Sequence, residues 1–125
     1  MNWSNLMVLG LAMISASPVT GETAGEFIGH CEKALRSDFV SNVDLLDAGM
    51  CMGRVSGVSD LMMINCLLAL DQGTVMPPHV AARAETTLNA KMAAVVNFGR
   101  DNPQMWSGPP SALVAAALAQ TWPCR

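Results

Sequence analysis

The chain has no tyrosine and only three phenylalanines and three tryptophans in 125 residues, so its core must be filled by leucine, valine, alanine and some of the ten methionines. It has no run of Lys or Arg and no basic stretch interleaved with aromatics, and its net charge is −3. Charge of that kind gives nucleic acid or an anionic membrane surface nothing to bind. No stretch alternates apolar and polar residues as a strand does, and no internal repeat, Gly-x-Ser-x-Gly elbow or glycine-rich phosphate loop is present. The gaps between Cys31, Cys51, Cys66 and Cys124 are 20, 15 and 58 residues, without the short paired spacing of a zinc site. His30 adjoins Cys31, but neighbours on a helix point roughly 100° apart and cannot form a nucleophile–base pair. The other histidine, His79, follows two prolines and reads as solvated. No catalytic residue, metal or cofactor is expected.

Charge is also missing from one end. The first 21 residues contain no charged side chain, and Leu6–Ile14 is an apolar block of the length of a signal-peptide core, too short to span a bilayer. Val19-Thr20-Gly21 suits a small-residue cleavage site, so residues 1–21 read as a cleaved export signal and residues 22–125 as one helical domain, with no membrane insertion after cleavage. The rival reading is an apolar first helix of the mature fold. The cysteines favour export: four, all beyond residue 21, as in a small domain stapled by two disulfides in an oxidising compartment.

What remains is helical patterning, giving an all-α fold of about four helices. Glu22–Arg36 presents Phe27, Cys31 and Leu35 inward. Asp44–Ile64 reads as a central spine with a stripe of Cys51, Val55, Val58 and Met62, and beside it Gly49, Gly53 and Gly57 stack at intervals of four. Each glycine in a helix interior costs roughly 1 kcal/mol relative to alanine, so the three predict a face that another backbone approaches closely. Asp60, one turn on, is expected as a buried polar anchor, with a functional acid as the alternative. Asn65 to Pro78 reads as a cysteine-anchored loop. A third helix begins between Val80 and Thr87 and runs to Arg100, and a fourth follows Ser107-Gly-Pro-Pro-Ser111 with Leu113, Val114, Ala117, Leu118 and Trp122 as its stripe. If the first two helices form an antiparallel pair, Cys31 and Cys51 are each ten residues from Ser41 and face each other. Cys51 and Cys66 along one helix are on the order of 20 Å apart, against about 5.5 Å between bridged α-carbons. The expected bridges are Cys31–Cys51 and Cys66–Cys124.

Cys31, the helix Cys51-x-Gly53-x-Val55-x-Gly57-Val58-x-Asp60, Cys66, Asn102-Pro103 and Trp122-Pro123-Cys124 together resemble the Tai/Rap family of periplasmic immunity proteins. Arg54 stands where such proteins usually carry an aromatic, and Leu67-Leu68 where a proline is usual. The resemblance implies a disulfide-stapled helical body, often dimeric, that neutralises a peptidoglycan amidase effector of a type VI secretion system by filling its cleft with a loop. The candidate loops are Asp71–Pro78, with Asp71, Gln72 and Thr74, and Asp101–Pro110, with Asp101, Gln104 and Trp106. An aromatic in a Pro/Gly/Ser loop has no helical stripe to join, so Trp106 is either the partner anchor or a residue folded back onto the core. The fold is also similar to that of the acid-stress chaperone HdeA. An HdeA-like periplasmic chaperone is therefore the alternative function, since the chain turns cationic in acid, and a non-inhibitory envelope binding module is a third.

Overall fold

The structure is a computed structural model that describes residues 21–73 and 86–124. Apart from Gly21 the expected export signal lies outside the described residues, as do Thr74, the turns through Pro78, and His79. Four α-helices follow in order: α1 Ala24–Arg36, α2 Asn42–Gln72, α3 Leu88–Asp101 and α4 Pro110–Thr121, with a short 3-10 turn at Pro103–Met105. Among the described residues there is no strand.

Helices α1, α2 and α3 start where a side chain can satisfy the orphan N–H groups of a first turn. Thr23 and Glu26 form a capping box on α1, with the Glu26 amide donating to Thr23 Oγ1 (3.3 Å) and the Thr23 amide donating to Glu26 Oε2 (2.8 Å). Ser41 Oγ accepts from the Asp44 amide at the start of α2 (3.1 Å), and Thr87 Oγ1 from the Ala90 amide at the start of α3 (3.2 Å). Helix α4 opens with Pro110 instead, where the missing N–H costs nothing. Helix α2 ends at Gly73, which adopts the left-handed conformation (φ 62°) and donates back to the Ala69 and Leu70 carbonyls. This moves a boundary: Asn65–Gln72, expected as loop, is the continuation of α2, because Cys66, Leu67, Leu68 and Leu70 contain no breaker before that glycine.

All four helices contribute to one core. Phe27 and Cys31 of α1, Cys51 and Val55 of α2, Met92 and Val95 of α3, and Leu113, Val114 and Leu118 of α4 are essentially inaccessible. Each large side chain buried this way contributes about 1.5–3 kcal/mol. Two disulfides staple the body as the hairpin register predicts: Cys31–Cys51 with α-carbons 5.0 Å apart, and Cys66–Cys124 at 5.8 Å.

The glycines of α2 do not do what their spacing predicts within this chain. The buried face carries Ala48, Cys51, Val55, Ser59, Met62 and Cys66. At 100° per residue Gly53 and Gly57 lie on the opposite side, and Gly49 is also turned to solvent. A Cβ added at any of the three meets nothing within 4 Å. Asp60 shares that outer side and is exposed, so it is not a buried anchor. The close helix approach is made by a glycine that the sequence reading passed over. A Cβ on Gly99 of α3 would sit 2.5 Å from Ile28 Cδ1 and 2.9 Å from Cγ1 of α1. The alanine's helix propensity offsets the clash only in part, so Gly99→Ala is expected to destabilise by about 1–2 kcal/mol as overpacking. Urea denaturation checks it, and Ile28→Val on the Gly99→Ala background should recover part of the loss.

Candidate partner-binding site

The segment between α3 and α4 is held from both sides. The first N–H groups of α1, which no turn of its own can satisfy, are taken up by this segment: Ala24 N donates to Gly108 O (2.9 Å) and Gly25 N to Trp106 O (3.0 Å). Gly25 lets the two chains approach, since a Cβ there would lie 3.3 Å from Trp106 Cβ. On the other side Trp106 Nε1 donates to the Gly99 carbonyl (2.7 Å), Asn102 Nδ2 donates to Phe98 O (2.8 Å), and Gln104 Nε2 donates to Asn102 Oδ1 (3.0 Å). Trp106 is thus fixed in orientation while its side chain remains 45% exposed. The two readings of this residue merge: its nitrogen and Cβ are tied to the body, and much of its surface faces outward. Asp101, the last residue of α3, and Gln104 in the 3-10 turn are exposed near it. Asp101 and Asn102 also lie at one end of an open groove of about 510 Å³ that runs along α3 from Ala90 and is lined by Gln120, Thr121 and Trp122 at the end of α4.

The second candidate element is not brought into comparable form. Asp71 and Gln72 are exposed residues of the last turn of α2 rather than parts of a loop, and Thr74 lies outside the described residues.

A polar network between α1 and the first half of α2 went unread in the sequence. Lys33 Nζ contacts Asp47 Oδ2 (2.6 Å) and Asp44 Oδ1 (3.3 Å). His30 sits between Glu22 (2.5 Å from Nδ1, an ion contact rather than an aligned hydrogen bond) and Asp47 (3.5 Å from Nε2). Arg54 lies 5.4 Å above the Phe27 ring and donates to Glu22 and, across to α4, to Ser111. The register that pairs Cys31 with Cys51 also places Lys33 beside Asp47 and Phe27 beneath Arg54, so the signal was available. Among the described residues no group of three His, Cys, Asp or Glu side chains is gathered as a metal would require.

These contacts set the response to pH. The Ser41 hydroxyl, and then Lys33, hold Asp44 below its ordinary value of 3.8, and the Thr23 amide and hydroxyl hold Glu26 below 4.5. Asp47, then Asp44, raise Lys33 above 10.5. A depressed carboxylate contributes stability above its unfolded value and loses it as pH falls through the folded one; a raised lysine contributes below 10.5 and loses it as pH climbs through its folded value. These three groups therefore leave the thermal midpoint level between 4.5 and 10.5 and are expected to lower it on both sides. Asp44→Asn should shrink the acid-side fall; an unchanged acid limb in that variant would show that other groups control it.

Helix α2 is long and apolar enough by composition to cross a membrane. It nevertheless carries the core on one face and disulfides at Cys51 and Cys66. No curated protein and no solved structure matches the chain. The family model for Rap1a immunity proteins matches residues 23–124, from the N-cap of α1 to the cysteine that closes the second disulfide, and the chain belongs to that family.

Proposed function

We propose that the chain is an exported immunity protein that binds a peptidoglycan amidase delivered by a type VI secretion system and keeps substrate out of its catalytic cleft. The observation that carries this reading is Trp106, a half-exposed indole on a segment pinned to α1 and α3. Hot spots are typically aromatic residues held in place before the partner arrives, because little ordering entropy is then lost on binding. Asp101 and Gln104 would form the polar rim around it. The chain acts by occupying a site rather than by turning over a substrate. Residues 1–21 would direct it to the periplasm, where the two bridges are at home, and the working form would be a homodimer.

The test is to immobilise the purified protein, pass a periplasmic extract over it at neutral and at acidic pH, and assay what is retained for peptidoglycan cleavage. A single stoichiometric amidase held at neutral pH, whose cleavage stops when the protein is added, supports the reading. A broad mixture retained only in acid would replace it with the chaperone reading, in which protonation of Asp44 weakens its tie to Lys33 between α1 and α2.

A further inference from the structure

The groove beside α3 is bounded by two helix C-termini. One end holds the last turn of α3 with Asp101, the other the last turn of α4 with Gln120 and Trp122. The carbonyls that a helix leaves unpaired at its C-terminus carry partial negative charge, which a basic side chain in the last turn ordinarily offsets. Neither helix has that offset on the groove side. The last turn of α4 contains no basic residue. Arg100, in the last turn of α3, turns its guanidinium to Glu32 of α1, with Nε at 3.0 Å and a terminal nitrogen at 2.7 Å from one carboxylate oxygen. Asp101 then adds a full negative charge where the helix dipole disfavours it. Glu22, Glu32, Asp38, Asp44 and Asp47 each lie beside a Lys or Arg; Asp101 has no such partner among the described residues. No Lys or Arg lines the groove.

Its uncharged polar groups are open as well. Asn97 and Gln120 are exposed, and their side-chain amides have no partner among the described residues. A primary amide offers a donor and an acceptor together, which matches a peptide group. Ala90 and Ala94 bring only methyl groups to the groove, so a main chain can come close to α3. From Ala90 to Asp101 is about 16 Å along the helix, the length of about five extended residues.

We propose that this groove receives an extended, basic segment of the effector, with a Lys or Arg side chain at Asp101 and main-chain groups at Asn97 and Gln120. The inference rests on the immunity reading and gives the effector a second contact, continuous with the Trp106 loop that begins at the Asp101 end. An acidic segment would be repelled at both ends of the groove. An apolar one would leave Asp101 and the two amides unmatched. Because Asp101 is exposed, its pair with the effector acts on the rate of encounter and on register more than on affinity. The free chain carries an unfavourable charge at the end of α3 that only the complex relieves.

The test uses the amidase captured as described above, with association and dissociation followed by surface plasmon resonance. Asn97→Arg fills the groove and reverses its charge, and should raise Kd about thirtyfold or more with unchanged far-ultraviolet circular dichroism. Asn42→Arg makes the same change at an exposed position outside the groove and should stay within about twofold of the parent. Asp101→Lys should slow association about tenfold in about 50 mM salt, and the difference should close in about 500 mM. The same variant should melt a few degrees higher, since it places a cation at the C-terminus of α3. Tighter folding together with slower binding is a combination that a merely structural role for Asp101 does not give. An extract that yields no amidase overturns the immunity reading and this inference together. A captured amidase that binds Asn97→Arg and Asp101→Lys as it binds the parent overturns the groove contact and leaves the immunity reading standing. Equal losses in Asn97→Arg and Asn42→Arg would trace the effect to net charge and overturn the groove contact as well. If Asn97→Arg binds poorly while Asp101→Lys associates at the parental rate in both salts, the occupant is not basic and the proposal fails.

Discussion

Replacing Cys66 and Cys124 together by alanine is expected to lower the thermal midpoint on the order of 20 °C. The bridge closes a separation of 58 residues, and in the chain-entropy model releasing a loop of that length costs about 4 kcal/mol. Each kcal/mol moves the midpoint of a domain this size by roughly 4–8 °C. Local structure adds to the effect. Beyond Met62, Cys66 is the only buried residue of α2, so the final turns of that helix are held to the body chiefly by this sulfur. Circular dichroism should therefore show a loss of helix below the main transition as well as a lower midpoint. The Cys31–Cys51 pair closes only 20 residues and joins helices already packed through Phe27 and Val55, so its removal should cost less, about 3 kcal/mol. Equal losses for the two bridges, or a C-terminal end of α2 that stays fully helical without its bridge, would contradict this account. Alanine is preferred to serine because a hydroxyl at the buried Cys66 position would add a desolvation cost unrelated to the cross-link.

The legible and illegible parts of the chain divide along physical lines. Helix starts were legible because Glu26, Asp44 and Pro110 announce them, and the two bridges because an antiparallel hairpin about Ser41 leaves little choice of partner for Cys31. The inward stripes of α1 and α4 were legible from periodicity. In α2 the stripe of Cys51, Val55 and Met62 faces the core as its period predicts, but Leu46, Leu61 and Leu68 make a second apolar side that stays exposed. The glycine spacing predicts a close backbone approach on that second side, and within the chain nothing comes near it. The end of α2 was misplaced for a related reason, because Asn65 to Leu70 has helix-compatible residues but no clear polar side. At the candidate site Trp106 stood out as an aromatic among turn residues. Its attachment to Gly25 and Gly99 did not, because a glycine's role in close approach depends on what lies opposite, and that is a property of the assembled fold.

Trp106→Ala is expected to weaken binding of the effector by about 2 kcal/mol or more, roughly thirtyfold, which is the scale of an aromatic anchor lost from the centre of an interface. Its effect on stability should be small. The substitution removes the indole hydrogen bond to Gly99 O, worth about 1 kcal/mol net, but that carbonyl still accepts from Asn102 N (3.3 Å). The main-chain bonds from Ala24 and Gly25 to the loop do not involve the side chain and remain, so the midpoint should move only a few degrees. Trp106→Phe separates the two contributions: it keeps an aromatic face and loses the nitrogen that fixes its orientation, and it should retain part of the affinity. Asp101→Ala and Gln104→Ala, on the exposed rim, should each cost under about 1 kcal/mol. Isothermal titration against the captured amidase, run beside thermal melts of each variant, distinguishes the cases. If Trp106→Ala binds as tightly as the parent, the loop does not touch the effector; if binding falls only in proportion to a large loss of melting temperature, the residue belongs to the core and the anchor lies elsewhere.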